Sequence, residues 1–144
     1  MVFDAAERAF VDCARVGRLA TVRPSGEPHI VPICFACVDG TIVSPIDAKP
    51  KRVAATELQR VKNIVATPAV SLLLDRYVAD WSRLAWVRID GSARLEPAES
   101  ELHSKRVEAL LEKYEQYHDH PLAEQPMLVI EPERVRSWGA SSHE

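Results

Sequence analysis

The alternation of apolar and polar residues along this chain predicts strands more often than helices. Two predicted strands, Arg18 to Arg23 and Pro28 to Val38, flank a Pro-Ser-Gly-Glu turn, and the second is rich in β-branched and aromatic residues. The pair Asp39-Gly40 then predicts a tight hairpin, because these residues accept the positive φ angles of a type I′ turn. The other predicted strands are Thr41 to Ile46, Val70 to Asp75, Leu84 to Leu95 with a β-bulge at Gly91, and Met127 to Trp138.

Three segments carry the spacing that is typical of helices. Asp4 with Glu7 predicts a capping box at the start of a short helix that ends before Gly17. Ser100 to Tyr117 predicts a helix near the C-terminus. Arg52 to Val65 predicts a central amphipathic helix. Its apolar face consists of Ala54, Leu58, Val61 and Val65, and its polar stripe of Arg52, Thr56, Arg60 and Asn63.

The order of these elements predicts a mainly β fold of the α+β class. Six strands joined mainly by hairpins do not fit a doubly wound sheet, in which strands and helices alternate. A six-stranded antiparallel barrel with N-terminal, central and C-terminal-region helices fits better, since closure removes exposed strand edges. The 144 residues suit a single domain over 1–144, because two cores would each lie near the lower size limit for folding.

Charge and composition narrow the possible partners. The net charge of -3 provides no overall basic field, so neither nucleic acid nor an anionic membrane surface is an expected partner. The longest apolar stretch, Ile30 to Val38, is interrupted by Pro32 and is far shorter than the roughly 20 residues of a membrane span. The N-terminus lacks the pattern of a signal peptide, and three cysteines fit a reducing compartment. We therefore expect a cytoplasmic protein.

The strongest local signal for chemistry is a group of cations at the start of the predicted central helix. Lys49, Lys51 and Arg52 lie within four positions in a chain that is otherwise slightly acidic. A helix N-terminus already presents unpaired N–H groups and the positive end of the helix dipole, so added cations there predict an anion site. Arg60 and Asn63 extend the same polar stripe and suit an elongated anionic ligand. The alternative is a solvated basic face.

Other candidate motifs carry less weight. Cys34 and Cys37 have an odd spacing on a predicted strand, which places their side chains on opposite faces, so we interpret them and Cys13 as packing residues. His118-Asp119-His120 lacks a third ligand nearby, and we expect no metal site. No catalytic acid or base stands out. Three tryptophans either line an apolar ligand cleft or pack in the core or an interface: Trp81, Trp86 and Trp138.

Several segments together resemble the split-barrel flavin and deazaflavin oxidoreductases, the pyridoxamine-phosphate-oxidase-like superfamily, and more narrowly its actinobacterial branch that uses coenzyme F420. Their order and spacing carry the resemblance over nearly the whole chain. The segments are Arg18 to Ile33, Asp47 to Arg52, Leu58 to Ile64 with Pro68, Asp80 to Arg88, Lys113 to Tyr117, and Arg136-Ser-Trp.

The resemblance implies a split β-barrel homodimer with a cofactor in a groove between the subunits. By position, it implies that Lys49, Lys51, Arg60 and Asn63 meet the phosphate or acidic tail of the cofactor. It places Pro32 and Ser44 near the cofactor ring. The implied activity is hydride transfer from reduced F420 to an electron-poor small molecule, with the cofactor carrying the reaction. Two alternatives remain: an oxidoreductase that uses flavin mononucleotide (FMN), and a protein that stores or delivers a cofactor without turnover.

Overall fold

A computed structural model describes residues 2–46 and 58–140 of the chain. The helices are α1 (Ala5–Cys13), α2 (Gln59–Ala66) and α3 (His103–Lys113), with short 3-10 helices at Trp81–Arg83, Glu115–Asp119 and Leu122–Glu124. The strands are β1 (Gly17–Val22), β2 (Pro28–Ile33), β3 (Ala36–Val38), β4 (Thr41–Pro45), β5 (Ala69–Arg76), β6 (Ala85–Glu96) and β7 (Met127–Trp138).

The seven strands form one antiparallel sheet in the order β2-β1-β5-β6-β7-β4-β3. This confirms the predicted mainly β, α+β fold class, although the sheet has seven strands where six were predicted. The predicted strand Pro28 to Val38 is divided into β2 and β3. At the division, the hydroxyl of Tyr114 lies 3.1 Å from the backbone N of Phe35 and 3.0 Å from its O. The backbone of Phe35 thus forms hydrogen bonds with the side chain of Tyr114, the residue after α3, instead of with a neighbouring strand.

Local signals in the sequence are confirmed where one or two residues determine the geometry. Asp4 and Glu7 form the predicted capping box at the start of α1. Asp39 and Gly40 have φ angles of 53° and 81°, which are those of the predicted hairpin turn. The pairing of β6 with β7 shifts register between Asp90 and Gly91, where the bulge was predicted.

The central helix packs through a different face from the one predicted. Within the described part of α2, Val61, Asn63 and Ile64 are buried, whereas Val65 is 72% exposed. The helix is therefore rotated so that part of the predicted polar stripe faces the barrel. Cys13, predicted to pack, is exposed, while Cys34 and Cys37 are half-buried.

Two apolar clusters hold the elements together. The larger lies inside the barrel and receives Phe10 and Val11 of α1 and Val61 and Ile64 of α2. The smaller lies on the outer side of β3, β4 and the start of β7, where Val107 and Leu110 of α3 cover it. The outer side of β2, β1, β5 and β6 instead presents exposed side chains.

Candidate functional site

Three arginines lie in one cross-strand row on the outer sheet face, and this row begins at Pro32. Cross-strand pairing aligns Pro32 with Arg18, Arg18 with Leu73, Leu73 with Arg88, and Arg88 with Arg136. Alternate residues of β1 and β5, such as Leu19 and Leu72, are fully buried, so the members of this row point away from the barrel interior. We call these five residues the arginine row: Pro32, Arg18, Leu73, Arg88 and Arg136.

Next to the arginine row, Asp90 organises two guanidinium groups. Its carboxylate accepts a hydrogen bond of 2.6 Å from Ser71 Oγ and lies 3.4 Å from Arg88 Nε and 3.2 Å from Arg134 Nη2. The Ser71 hydroxyl contributes most to lowering the pKa of Asp90, and Arg88 and Arg134 lower it further. Asp90 therefore stays ionised and holds the arginines in place, and it is poorly suited to act as a general acid. These residues line a polar depression of about 400 Å³.

On the other side of the arginine row, the same face exposes aromatic side chains. Trp86 pairs directly with Trp138 across β6 and β7, and Asp75 pairs with Trp86 from β5. Together with Tyr77 and Leu84 they line an apolar depression of about 420 Å³. Tyr77 and Trp138 are 71% and 55% exposed. Flat aromatic surfaces of this kind stack well against another ring system. Trp86 and Trp138 thus line a cleft, one of the two roles left open by the sequence.

Arg60 and Asn63 lie at the inward side of α2, behind the sheet. Asn63 is fully buried; its Nδ2 donates to Thr21 Oγ1 at 2.9 Å, and its Oδ1 accepts from Gln59 Nε2 at 2.7 Å. The Asn63 side chain therefore anchors α2 to β1 and is not part of an exposed stripe. Arg60 is half-buried on the same side of the helix. Their predicted contact with a cofactor stays a prediction.

The predicted start of the central helix at Arg52, with Ala54 and Thr56, lies outside the described residues, and the described helix α2 begins at Gln59. Leu58 precedes the helix and provides no side-chain cap, so no side chain at that position satisfies the first backbone N–H groups. Lys49 and Lys51 fall outside the described residues. Thr21, which holds Asn63, is three residues along β1 from Arg18, a distance of about 10 Å. Thr21 is buried and Arg18 is exposed, so their side chains lie on opposite faces of β1, and α2 is seated behind the sheet face that carries the arginine row.

Ser44 lies near Pro32 but faces the interior. It is 2% exposed in β4, and its Oγ donates to the backbone O of Cys34 at 2.7 Å. Cys34 is only two residues beyond Pro32, so this bond brings β4 close to the end of β2. The hydroxyl of Ser44 positions the backbone near Pro32, while Pro32 itself is exposed at the outer face.

The described residues contain no cluster of three or more histidine, cysteine or acidic side chains that would hold a metal ion. Nor does any described helix have the length and apolar character needed to cross a membrane. The candidate site is thus made of arginines, aromatic rings and backbone groups. Sequence reasoning missed its arginines, although one signal was present, since Arg18, Arg88, Arg134 and Arg136 all occur at outward positions of predicted strands.

Known structures of similar fold have varied described roles. A conserved hypothetical protein, Rv2991 from Mycobacterium tuberculosis, is 27% identical with a TM-score of 0.73, covering 97% of this chain and 87% of that one. HutZ, the heme storage protein of Vibrio cholerae, is 18% identical with a TM-score of 0.72, covering 96% and 94%. An F420 reductase is 22% identical with a TM-score of 0.62, covering 90% and 94%.

Sequence comparison is more decisive than these structural likenesses. No curated protein matches the chain. The family model for pyridoxamine 5′-phosphate oxidase matches residues 3–139, which is nearly the whole sequence. The antiparallel fold is consistent with this match, and the chain belongs to the pyridoxamine 5′-phosphate oxidase family.

Proposed function

We propose that this protein is an oxidoreductase that uses coenzyme F420 to transfer hydride to an electron-poor small molecule. The observation that carries the proposal is the outer sheet face, where an aromatic depression adjoins the arginine row. A deazaflavin or flavin combines a flat ring system with an anionic tail, and this surface offers aromatic stacking and guanidinium groups within one span. When bound, the cofactor supplies the hydride chemistry.

The residues of the chain bind and orient in this proposal. Trp86 and Trp138 receive the ring system or a substrate stacked on it, and Pro32 forms the opposite end of the surface. Arg18 and Arg88 are held by Asp75 and Asp90, at 2.9 Å and 3.4 Å, so their positions are set before a ligand binds. Charged side chains that are already in position favour binding, because they lose little conformational entropy when the ligand binds.

The anionic end of the cofactor is proposed to lie at the start of α2. Lys49, Lys51 and Arg60 provide the positive charge, and Asn63 keeps the helix seated on β1. Ser44 supports the backbone beside the ring. The two carboxylates beside the arginine row, Asp75 and Asp90, are engaged by arginines, which suits hydride transfer because that reaction needs no side chain as an acid or base.

Titration of the purified protein with F420 and with FMN tests the choice of cofactor. We expect F420 to quench tryptophan fluorescence and to bind more tightly than FMN. Trp86→Leu should weaken F420 binding roughly three- to ten-fold, since an aromatic contact adds about 0.5–1.5 kcal/mol beyond its area. Trp81→Leu is the matched control, because Trp81 is 69% exposed and does not line the depression. Tighter binding of FMN would reject F420 in favour of the flavin enzyme.

A protein that stores or delivers a cofactor is the second candidate, favoured by the engagement of Asp75 and Asp90 in ion pairs with arginines. Oxidation of reduced F420 by a panel of quinones and unsaturated carbonyl compounds separates the two. An enzyme should accelerate the oxidation at substoichiometric protein, whereas a storage protein should only protect the bound cofactor.

We also propose that the protein is a homodimer whose outer sheet faces form the cofactor groove. Ile30 is 63% exposed, Leu73 38% and Trp138 55%, so this face exposes large apolar side chains that a partner subunit would cover. Light scattering should give a mass of twice 16.1 kDa at micromolar concentration. A single species of 16.1 kDa under those conditions would contradict the dimer while leaving the cofactor assignment open to the titration.

A further inference from the structure

Two arginines of the arginine row lie directly opposite each other across β6 and β7. Arg88 and Arg136 are cross-strand partners, and both side chains are exposed on the outer sheet face. Like charges in directly opposite positions of an antiparallel pair destabilise the sheet. An anion bound between the two guanidinium groups would remove this repulsion.

The described carboxylates beside this pair do not neutralise Arg136. Asp90 is shared by Arg88 and Arg134. The guanidinium of Arg136 donates from Nη1 to the backbone O of Val135 at 3.2 Å, and no described carboxylate forms an ion pair with it. Three arginines thus share one carboxylate at this point of the face, although the net charge of the whole chain is -3. The excess positive charge is therefore local.

The neighbouring polar depression shows how this face binds a carboxylate. The carboxylate of Asp90 lies 3.4 Å from Arg88 Nε and 3.2 Å from Arg134 Nη2. Glu133 also lines the depression but pairs with no described arginine. A planar carboxylate matches the arrangement of the N–H donors of a guanidinium. A ligand carboxylate between Arg88 and Arg136 would repeat the arrangement that is already present at Asp90.

The aromatic depression begins directly beside the same pair. Trp138 lies two residues beyond Arg136 on β7, and Trp86 lies two residues before Arg88 on β6. Alternate residues of a strand share a face, and two residues span about 7 Å. A flat ligand on the two tryptophans therefore brings a substituent on its ring within reach of both arginines.

We propose that Arg136, with Arg88 opposite it, binds a carboxylate of the hydride acceptor, so that the substrate class is a conjugated acid. This inference rests on the proposed function, in which the cofactor has its anionic end at the start of α2, behind this sheet face. The charge at Arg136 is then left for the second ligand. Arg136 binds and orients the acceptor, and it determines specificity without taking part in the hydride step.

Binding of two matched probes to the protein without cofactor tests the anion site itself. The probes are 2-naphthoate and its uncharged amide, 2-naphthamide, and isothermal titration measures both affinities. We expect the unmodified protein to bind 2-naphthoate roughly ten-fold more tightly than 2-naphthamide, because only the acid accepts charge-assisted hydrogen bonds. Arg136→Gln should remove this preference.

Arg94→Gln is the matched control variant. Arg94 is another exposed arginine of β6, but its guanidinium is paired with Glu96 at 2.6 Å and with Glu131 at 3.1 Å. This variant should keep the preference for 2-naphthoate. Equal affinity of the two probes for the unmodified protein, or an unchanged preference in Arg136→Gln, would overturn the proposal.

Turnover with reduced F420 shows which ligand owns the carboxylate. A quinone that carries a carboxylate should have a KM roughly ten-fold lower than its methyl ester, and Arg136→Gln should abolish this difference while binding F420 within about two-fold of the unmodified protein. If Arg136→Gln weakens F420 binding ten-fold and leaves the acceptor preference intact, the charge serves the cofactor and the proposal is wrong. Failure of F420 to bind the unmodified protein would reject the proposed function, while the naphthoate comparison still decides for or against the anion site.

Urea denaturation separates a binding role of Arg136 from a structural one. Arg136→Gln removes one member of a like-charged pair, so we expect its unfolding midpoint to equal or exceed that of the unmodified protein. A clearly lower midpoint would show that Arg136 supports the sheet, and it would contradict the assignment of this residue to ligand binding.

Discussion

Replacing Gly91 by alanine is expected to lower the free energy of unfolding by about 3 kcal/mol or more. A Cβ at this position would lie 2.1 Å from the backbone O of Glu131 and 3.2 Å from Cα of Pro132. Both neighbours are backbone atoms of β7, so no side chain can rotate away, and the paired strands have to separate locally. Overpacking usually costs 1–3 kcal/mol, and a backbone clash falls at the upper end of that range or beyond it.

Gly26→Ala is the matched control for this prediction. A Cβ at Gly26 would meet no atom within 4 Å, but this residue has a φ of +94°. Alanine there therefore suffers only the conformational cost of about 1–2 kcal/mol. Urea denaturation of both variants measures the difference. Equal losses would show that β6 and β7 can part at the bulge without strain. The Gly91→Ala substitution should also displace Asp90, because Asp90 precedes Gly91 and holds Arg88 and Arg134.

Alanine at Lys49, Lys51 or Arg60 is expected to weaken cofactor binding about ten-fold to more than a hundred-fold. The estimate follows if each cation makes a charge-assisted hydrogen bond to the anionic end of the cofactor, which contributes roughly 1.5–3 kcal/mol. We expect little change in stability at Lys49 and Lys51, since removing a cation beside a helix N-terminus offsets lost packing. Arg60 is half-buried, so its variant needs a stability measurement beside the affinity measurement.

Lys62→Ala is the control, because Lys62 lies on the same helix but is exposed. The affinity of this variant for F420 should change by well under ten-fold. Most of that effect should be lost at high salt, since exposed charges are screened within about 8–10 Å. Isothermal titration with F420 at low and high salt distinguishes the two behaviours. If all three variants bind as tightly as the unmodified protein, the anion site is wrong even though the family assignment stands.

The parts of the fold that could be predicted depend on neighbours in sequence. Asp4 with Glu7 and Asp39 with Gly40 define a helix start and a hairpin because the interacting groups are at most three residues apart. Gly91 signals a bulge for a similar reason, since only glycine tolerates the close approach of β7. In each case the side chain or its absence decides the local backbone geometry.

The features that were missed depend on distant contacts. The division of β2 from β3 depends on Tyr114, 79 residues away from Phe35 in sequence. The orientation of α2 depends on the hydrogen bond between Asn63 and Thr21, which draws a polar residue inside and leaves Val65 outside. The arginine row exists only once five strands are paired in register, and periodicity within a single strand cannot supply that pairing.

Two prolines in β2 affect how this edge of the sheet can pair with strands of other chains. β2 ends the strand order, and both Pro28 and Pro32 pair with β1 there. Proline has no backbone N–H, so it fits this strand only where the missing donor would have pointed away from β1. The free side of β2 therefore lacks two of the donors that an incoming strand would need. Extension of the sheet by a foreign β-strand, the usual first step of edge-to-edge aggregation, is disfavoured along β2, and association is directed to the face of the sheet.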